Sequence, residues 1–206
     1  MLTMTSAADA QTTASELSNA GVWSARAANA ARQYRVDAPN GRYVILVDNS
    51  QLTVRATERT RAAVGKPIEV ESLAEVLWAP DARAFAVTQS DGGSVGTWSV
   101  TLFRVSESEL QRVDIAKQVR AEFNRRTVPS HAAGCSIEEG NVGALTWRDG
   151  SRNLVLIAEA PLHSSGCDLG HVQGYFVDAQ SGAILSRYTR VDLHRLFQKE
   201  LGVRLR

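Results

Sequence analysis

The sequence predicts a mainly β protein built from antiparallel sheets in about three repeat-like units, with two short helices. Three observations carry this prediction. Short runs rich in Val, Ile and Phe alternate with turns that contain Gly, Asp or Asn. A turn containing proline or tryptophan recurs along the chain, and two segments have the apolar spacing of amphipathic helices.

Composition and charge are those of a soluble globular protein. Of the 206 residues, 44% are hydrophobic and 22% are charged, which is enough to bury a core without metals or many disulfides. The net charge of +1 gives no overall field for nucleic acid or anionic membranes, so we expect no nucleic-acid partner. No apolar run approaches the roughly 20 residues that cross a bilayer, so we expect no membrane span. The sequence leaves the oligomeric state open.

Residues 1–20 are expected to form a flexible segment before a single β-rich domain at 21–206. The segment is rich in Ala, Ser and Thr and has neither the basic start nor the apolar centre of a signal peptide. Two interpretations remain for it. It is the polar start of an exported protein whose signal was removed, or the mobile N-terminus of a cytoplasmic protein.

The predicted strands are short runs of β-branched and aromatic residues. They lie at residues 42–47, 51–55, 84–88, 97–103, 153–158, 174–178 and 183–188. The first two flank the turn Asp48-Asn49-Ser50, and the last two flank 179–182, so each pair is a predicted hairpin.

Similar turns divide the chain into three units, near residues 37–76, 77–126 and 145–201. The turns are Pro39-Asn40-Gly41-Arg42, Pro80-Asp81-Ala82-Arg83 and Trp147-Arg148-Asp149-Gly150. Trp78 and Trp147 accompany two of these turns, and we expect both to be structural.

Each of the last two units ends in a predicted helix. Asp114 and Asp192 stand where an N-cap would accept hydrogen bonds from the first turn. Apolar residues then follow at helical spacing and are expected to face the core. They are Ile115, Val119 and Phe123 in one helix and Leu193, Leu196, Phe197 and Leu201 in the other.

The turn pattern resembles β-propeller blades of the WD40 and YVTN-like families, over roughly residues 37–188. The matching residues are Trp78-Ala79-Pro80-Asp81, the turns at 39–42 and 147–150, and the hairpin Asp178-Ala179-Gln180-Ser181-Gly182. The resemblance implies blade-like antiparallel sheets. Propellers have four to eight blades, so three units predict an open or partial propeller.

Cys135 and Cys167 are the only cysteines, and each ends a His-x-x-Gly-Cys sequence. An even, minimal count favours one disulfide and therefore a periplasmic or secreted protein. Two free buried thiols and a Cys2His2 zinc site are the alternatives. We adopt the disulfide and expect neither a metal nor a cofactor.

A search for catalytic groups gives one candidate, a hydrolase that uses His163, His171 and Asp168 with Ser164 or Ser165. No serine has the Gly-x-Ser-x-Gly surroundings of a nucleophile elbow, and no metalloprotease, phosphate-binding or dinucleotide motif occurs. The sequence therefore favours a protein without enzymatic activity.

The function expected from these observations is non-enzymatic binding in the bacterial cell envelope, through loops of a β scaffold. The partner is another protein, and the protein could be an inhibitor or immunity protein against a toxic envelope enzyme. The hydrolase and a ligand-sensing lipoprotein fragment are the alternatives. The predicted binding residues are Trp98, His163, Asp168 and His171, and Trp98 is either an exposed anchor or a core residue.

Overall fold

The computed structural model describes residues 28–29, 33–57, 62–90, 97–127, 140–160 and 170–201. Within these residues the chain forms thirteen strands and two helices. The strands are β1 Ala28–Asn29, β2 Tyr34–Asp37, β3 Tyr43–Asp48, β4 Gln51–Ala56, β5 Ala63–Glu69, β6 Leu73–Trp78, β7 Ala84–Ser90, β8 Ser99–Val105, β9 Leu110–Val113, β10 Asn141–Arg148, β11 Asn153–Glu159, β12 Val172–Asp178 and β13 Ile184–Tyr188. The helices are α1 Ala116–Thr127 and α2 Arg190–Leu201.

The strands form three antiparallel sheets in which neighbours along the chain are neighbours in space. The first sheet has the order β2-β3-β4-β5, the second β1-β6-β7-β8-β9 and the third β10-β11-β12-β13. The two-residue strand β1 pairs with the edge of β6, so each sheet is in essence a four-stranded meander. The sheets are open, and the predicted mainly β fold of blade-like antiparallel sheets with two helices is confirmed.

Both predicted hairpins are present. β3 and β4 pair from Tyr43 with Ala56 to Asp48 with Gln51, and Asn49 and Ser50 have positive φ angles of 48° and 60°. Two positive φ angles give the backbone twist that a two-residue hairpin needs.

In the β12–β13 hairpin, the Asp178 carboxylate accepts hydrogen bonds from the backbone N–H groups of Gln180 and Ser181. Gly182 follows them with a φ of 75°. These local bonds fix the turn and explain why its sequence signal was sufficient.

Three apolar layers hold the sheets and helices together. The first layer lies between the first and second sheets and contains side chains such as Ile45, Leu52 and Phe85. The second lies between the second sheet, α1 and the third sheet, and the third joins the other face of the third sheet to α2. Every sheet therefore contributes at least one face to the core.

Two tryptophans bind neighbouring sheets to each other in the same way. The Trp78 indole in the second sheet donates a hydrogen bond to the Val36 carbonyl in the first, with 3.4 Å between nitrogen and oxygen. The Trp147 indole in the third sheet donates to the Leu77 carbonyl in the second at 3.2 Å. Both rings are buried, which confirms their predicted structural role.

The recurring turns also contact one another at one end of the sheets. The Asn40 amide donates to the Asp81 carbonyl at 3.3 Å, and the Ser151 hydroxyl accepts from the Asp81 backbone N–H at 2.9 Å. We call this end of the three sheets, at residues 39–42, 80–83 and 149–152, the turn end. The third turn begins two residues later than predicted, because Trp147 and Arg148 belong to β10.

The α1 prediction is confirmed. The Asp114 carboxylate accepts from the Lys117 backbone N–H at 3.2 Å, as an N-cap does. Ile115, Val119 and Phe123 are all buried against the second and third sheets.

The α2 prediction is wrong in two respects. Thr189 is the N-cap: its hydroxyl accepts from the Asp192 N–H, while the Asp192 carboxylate accepts from the Thr189 N–H at 3.1 Å. This reciprocal pair is a capping box, which places the helix start three residues earlier than expected. The backbone leaves helical geometry at Phe197 (φ −131°, ψ 24°), and Leu196, predicted to face the core, is 48% exposed.

Candidate functional site

Three connections leave the second and third sheets at the end opposite the turn end. They run between β7 and β8 (residues 91–98), between α1 and β10 (128–140) and between β11 and β12 (160–171). Their attachment points are close together. The Trp98 N–H, just before β8, donates to Asn141 at the start of β10, and Asn141 pairs with Glu159 at the end of β11. We call this region the loop end.

Four of the predicted site residues lie, in sequence, between these attachment points. His163, Asp168 and Cys167 belong to the connection 160–171, and Cys135 belongs to 128–140. These four residues lie outside the described residues, so their predicted roles and the disulfide remain predictions. Residues 1–20, predicted to be flexible, also lie outside them.

Trp98 is a core residue and not an exposed anchor. Its side chain is 6% exposed and packs with apolar residues of the third sheet and α2, such as Leu145 and Phe197. Its backbone holds the strand start in place: the N–H donates to Asn141 Oδ1 at 2.8 Å, and the carbonyl accepts from the Val142 N–H at 2.9 Å. Trp98 is therefore a buried residue that fixes the loop attachments and is not part of the surface of the loop end.

Arg120 on α1 joins two of the loop attachments. Its Nη2 donates to the Trp98 carbonyl at 2.8 Å, and its Nε donates to the Gly140 carbonyl at 3.1 Å. One guanidinium thus fixes Trp98, the residue before β8, and Gly140, the last residue of the connection 128–140. Hydrogen bonds from a charged donor are roughly twice as strong as neutral ones.

The third attachment rests on an aromatic contact and on backbone bonds. The Ala160 N–H donates to the His171 carbonyl at 2.9 Å, and the Gly170 N–H donates to the Ala160 carbonyl at 3.2 Å. The His171 ring is exposed and lies 5.5 Å from the ring of Phe123, centroid to centroid.

Gly140 is necessary for the approach of α1 to this end. A Cβ atom at Gly140 would lie 2.8 Å from two carbons of the Phe123 ring, closer than packing permits. The connection 128–140 therefore ends in a residue without a side chain, directly against the buried face of the helix.

A row of buried polar side chains runs through the second sheet toward the loop end. Glu75 on β6 is 1% exposed and lies opposite Thr88 on β7, whose hydroxyl accepts from the Ala144 N–H of the third sheet at 3.0 Å. Ser90, where β7 ends, is 2% exposed. Burial, and secondly the charge of Glu75, raises the pKa of Tyr34 well above its usual value.

Sequence reasoning missed Arg120 and Asn141 as the residues that hold the loop end. Arg120 is one of four cationic residues on α1, and nothing in the sequence distinguishes it from the others. Its partners are backbone carbonyls distant in sequence, and carbonyls carry no residue-specific signal. No strand was predicted to begin at Asn141, so nothing in the sequence indicated its role.

Of the proposed hydrolytic residues, the structure describes His171 alone. Its exposed ring contacts an aromatic side chain, and the serine and aspartate that the reaction would require lie outside the described ranges. In the described part of the chain, no three His, Cys, Asp or Glu side chains are grouped as metal ligands would be. Neither described helix is long and apolar enough to cross a membrane.

No protein-family model matches the chain, and no curated protein matches it. Among solved structures, it is similar to a protein of Agrobacterium tumefaciens described as TolB, at 13% sequence identity and a TM-score of 0.38. The match covers 76% of this chain and 45% of that one, so the chain spans less than half of that protein. A likeness at this level carries no conclusion about function.

Proposed function

We propose that the protein is a non-enzymatic binding protein of the cell envelope, and that it recognises another protein through the loop end. The observation that supports this most is that the attachment points of three connections lie close together and are held by hydrogen bonds and packing. Arg120, Asn141 and Gly140 tie their attachment points to one another with bonds and contacts that do not depend on a partner.

The size of the loop end suits a protein partner. The connections have eight, thirteen and twelve residues, thirty-three in all. A protein interface of standard size uses about 20–30 residues on each side. A braced base reduces the ordering cost of binding because the loop attachments are already fixed. Loops on a rigid scaffold are the usual place for recognition.

The cell-envelope part of the proposal depends on the cysteines. Cys135 is five residues before Gly140, and Cys167 is three residues before Gly170. Asn141 pairs with Glu159, so the attachments of the two connections are neighbours. A chain spans up to about 3.3 Å per residue, so both connections are long enough for the two sulfurs to meet. A disulfide would favour an oxidising compartment.

Inhibition of, or immunity to, a toxic envelope enzyme is the specific form of binding that we propose. In such a role the loop end would cover the active site of the toxic enzyme, and no cofactor would be required. A ligand-sensing lipoprotein fragment and a hydrolase using His163, His171 and Asp168 are the competing functions.

Site-specific photo-crosslinking in the native host tests the proposal. A photoreactive amino acid replaces His171 at the loop end or, as a control, the exposed Arg112 on β9. We expect one discrete protein adduct from position 171 and none from position 112. Adducts of equal yield at both positions would contradict binding through the loop end.

The purified adduct partner then separates the competing functions. An inhibitor reduces the partner's enzymatic activity at a one-to-one ratio, and replacing residues 161–169 by a Gly-Ser linker of equal length abolishes this effect. Hydrolysis of a substrate by the protein, lost on His163→Ala and Asp168→Asn, would support the enzyme instead.

A further inference from the structure

A groove of about 300 Å³ lies on the first sheet, on the face that points away from the other two sheets. It is lined by Arg35, Val44, Leu46, Arg55, Ala56 and Thr57. The groove is at the turn end, because Ala56 ends β4 beside the turn at 39–42. It is therefore separate from the loop end and independent of the function proposed above.

Strand register gives the groove an apolar floor between two cationic walls. Val44 and Leu46 on the central strand β3 form the floor. Val44 is 6% exposed and Leu46 is half-buried, and neither belongs to the core layers described above. Arg35 on β2 is opposite Leu46, and Arg55 on β4 is opposite Val44. Two strand spacings separate the arginine-bearing strands by about 10 Å, so their side chains border a space one small molecule wide.

The two arginines differ in their surroundings. The Arg35 guanidinium donates to the Asp37 carboxylate from Nε and Nη2, with a shortest distance of 2.6 Å. Arg55 has the uncharged residues Val44 and Ala63 as its described neighbours in register on the two adjacent strands. The Asp37 carboxylate offsets the charge of Arg35, with which it forms an ion pair, whereas Val44 on β3 separates Arg55 from Asp37, since both are in register with that valine.

Thr57 closes the groove beside Arg55. Its hydroxyl donates to the Gly41 carbonyl, and its backbone N–H donates to the Arg42 carbonyl at 2.9 Å. These two bonds fix the end of the strand, so this wall of the groove is formed before any ligand binds. Preformed walls are typical of small-molecule sites, and about 300 Å³ is at the lower end of their sizes.

We propose that the groove binds a small organic anion with an apolar body. The carboxylate or phosphate group accepts two hydrogen bonds from the Arg55 guanidinium, whose planar fork matches both groups. The apolar body covers Val44 and Leu46 and extends toward Arg35.

Titration of the 15N-labelled full chain followed by amide NMR tests this proposal. Benzoate and phenyl phosphate probe the two anionic groups, benzamide is the neutral equivalent of benzoate, and acetate lacks the apolar body. We expect saturable shifts at residues 44–46 and 55–57 with benzoate, phenyl phosphate or both. Benzamide and acetate are expected to bind at least about tenfold more weakly than the anionic probe that binds best.

Two variants test the residue assignment. Arg55→Gln should weaken binding of the anionic probe about tenfold or more, whereas Arg112→Gln, an exposed arginine on β9, should leave it unchanged. Unchanged amide positions outside the first sheet show that each variant is folded. The proposal is overturned if neither anion gives saturable shifts, if benzamide binds as tightly as benzoate, or if both variants have the same effect.

Discussion

Replacing Trp147 by phenylalanine tests how the sheets are held together. The substitution removes the indole N–H that donates to the Leu77 carbonyl of the neighbouring sheet. It also leaves a space in the layer between the second and third sheets, where Trp147 is 6% exposed. The aromatic ring that remains keeps the rest of the packing.

Two contributions give the expected magnitude. A lost hydrogen bond of this kind costs about 0.5–1.5 kcal/mol net. Phenylalanine is smaller than tryptophan by roughly 40 Å³, and a residual cavity costs about 24 cal/mol per Å³, which adds about 1 kcal/mol. We therefore expect Trp147→Phe to reduce the free energy of unfolding by about 2 kcal/mol, which lowers Tm by about 4–8 °C in a chain of this length.

Urea unfolding followed by far-UV circular dichroism measures this loss without relying on tryptophan fluorescence. Trp78→Phe is the matched comparison, since its indole bond to Val36 is longer, at 3.4 Å, and its loss should be smaller. A Trp147→Phe protein that loses less than about 0.5 kcal/mol would refute the idea that this bond and its packing join the sheets.

Three further predictions concern the helix cap, the loop end and the cysteines. Hydrogen bonds from Thr189 hold the pKa of Asp192 below its usual value. Asp192→Ala should therefore lower Tm at pH 7, and the difference in Tm from the unmodified protein should shrink as the pH falls below about 4. An equal difference at pH 3 would contradict the capping box. Gly140→Ala should lower the free energy of unfolding by about 1–3 kcal/mol, because the new Cβ would lie 2.8 Å from the Phe123 ring. Combining it with Phe123→Leu should reduce that loss. If urea unfolding shows that the losses of the two variants simply add, the contact is contradicted. Reduction of the predicted disulfide should lower Tm, since closing a loop of this length stabilises by roughly 3–4 kcal/mol, while two reactive thiols in denatured, unreduced protein would exclude the bond.

The features that could be predicted from the sequence are those with local causes. The turn at Asp48-Asn49-Ser50 needed only residues that tolerate positive φ, and the buried stripe of α1 needed only helical spacing. The tryptophan turns could be predicted as structural because the same residues recur near the same kind of strand. These signals were enough for both helices and for seven of the thirteen described strands, whereas β1, β2, β5, β6, β9 and β10 were not predicted.

The remaining features depend on contacts between distant residues. Arg120 braces the loop end through carbonyls about twenty residues away, and nothing in the sequence marks those carbonyls as its acceptors. Trp98 is buried because the third sheet and α2 cover it. Asp192 is the third residue after the N-cap Thr189, and an acidic residue at either position gives a similar helix-start signal.

Hydrogen exchange of the protein with and without its crosslinked partner, once purified, tests the central claim most directly. The account predicts slower exchange at the loop attachments, around residues 97–98, 140–141 and 170–171, and in the three connections. Exchange at the turn end and in the groove on the first sheet should be unchanged. Protection confined to the turn end or to the first sheet, with unchanged exchange at the loop end, would contradict the account.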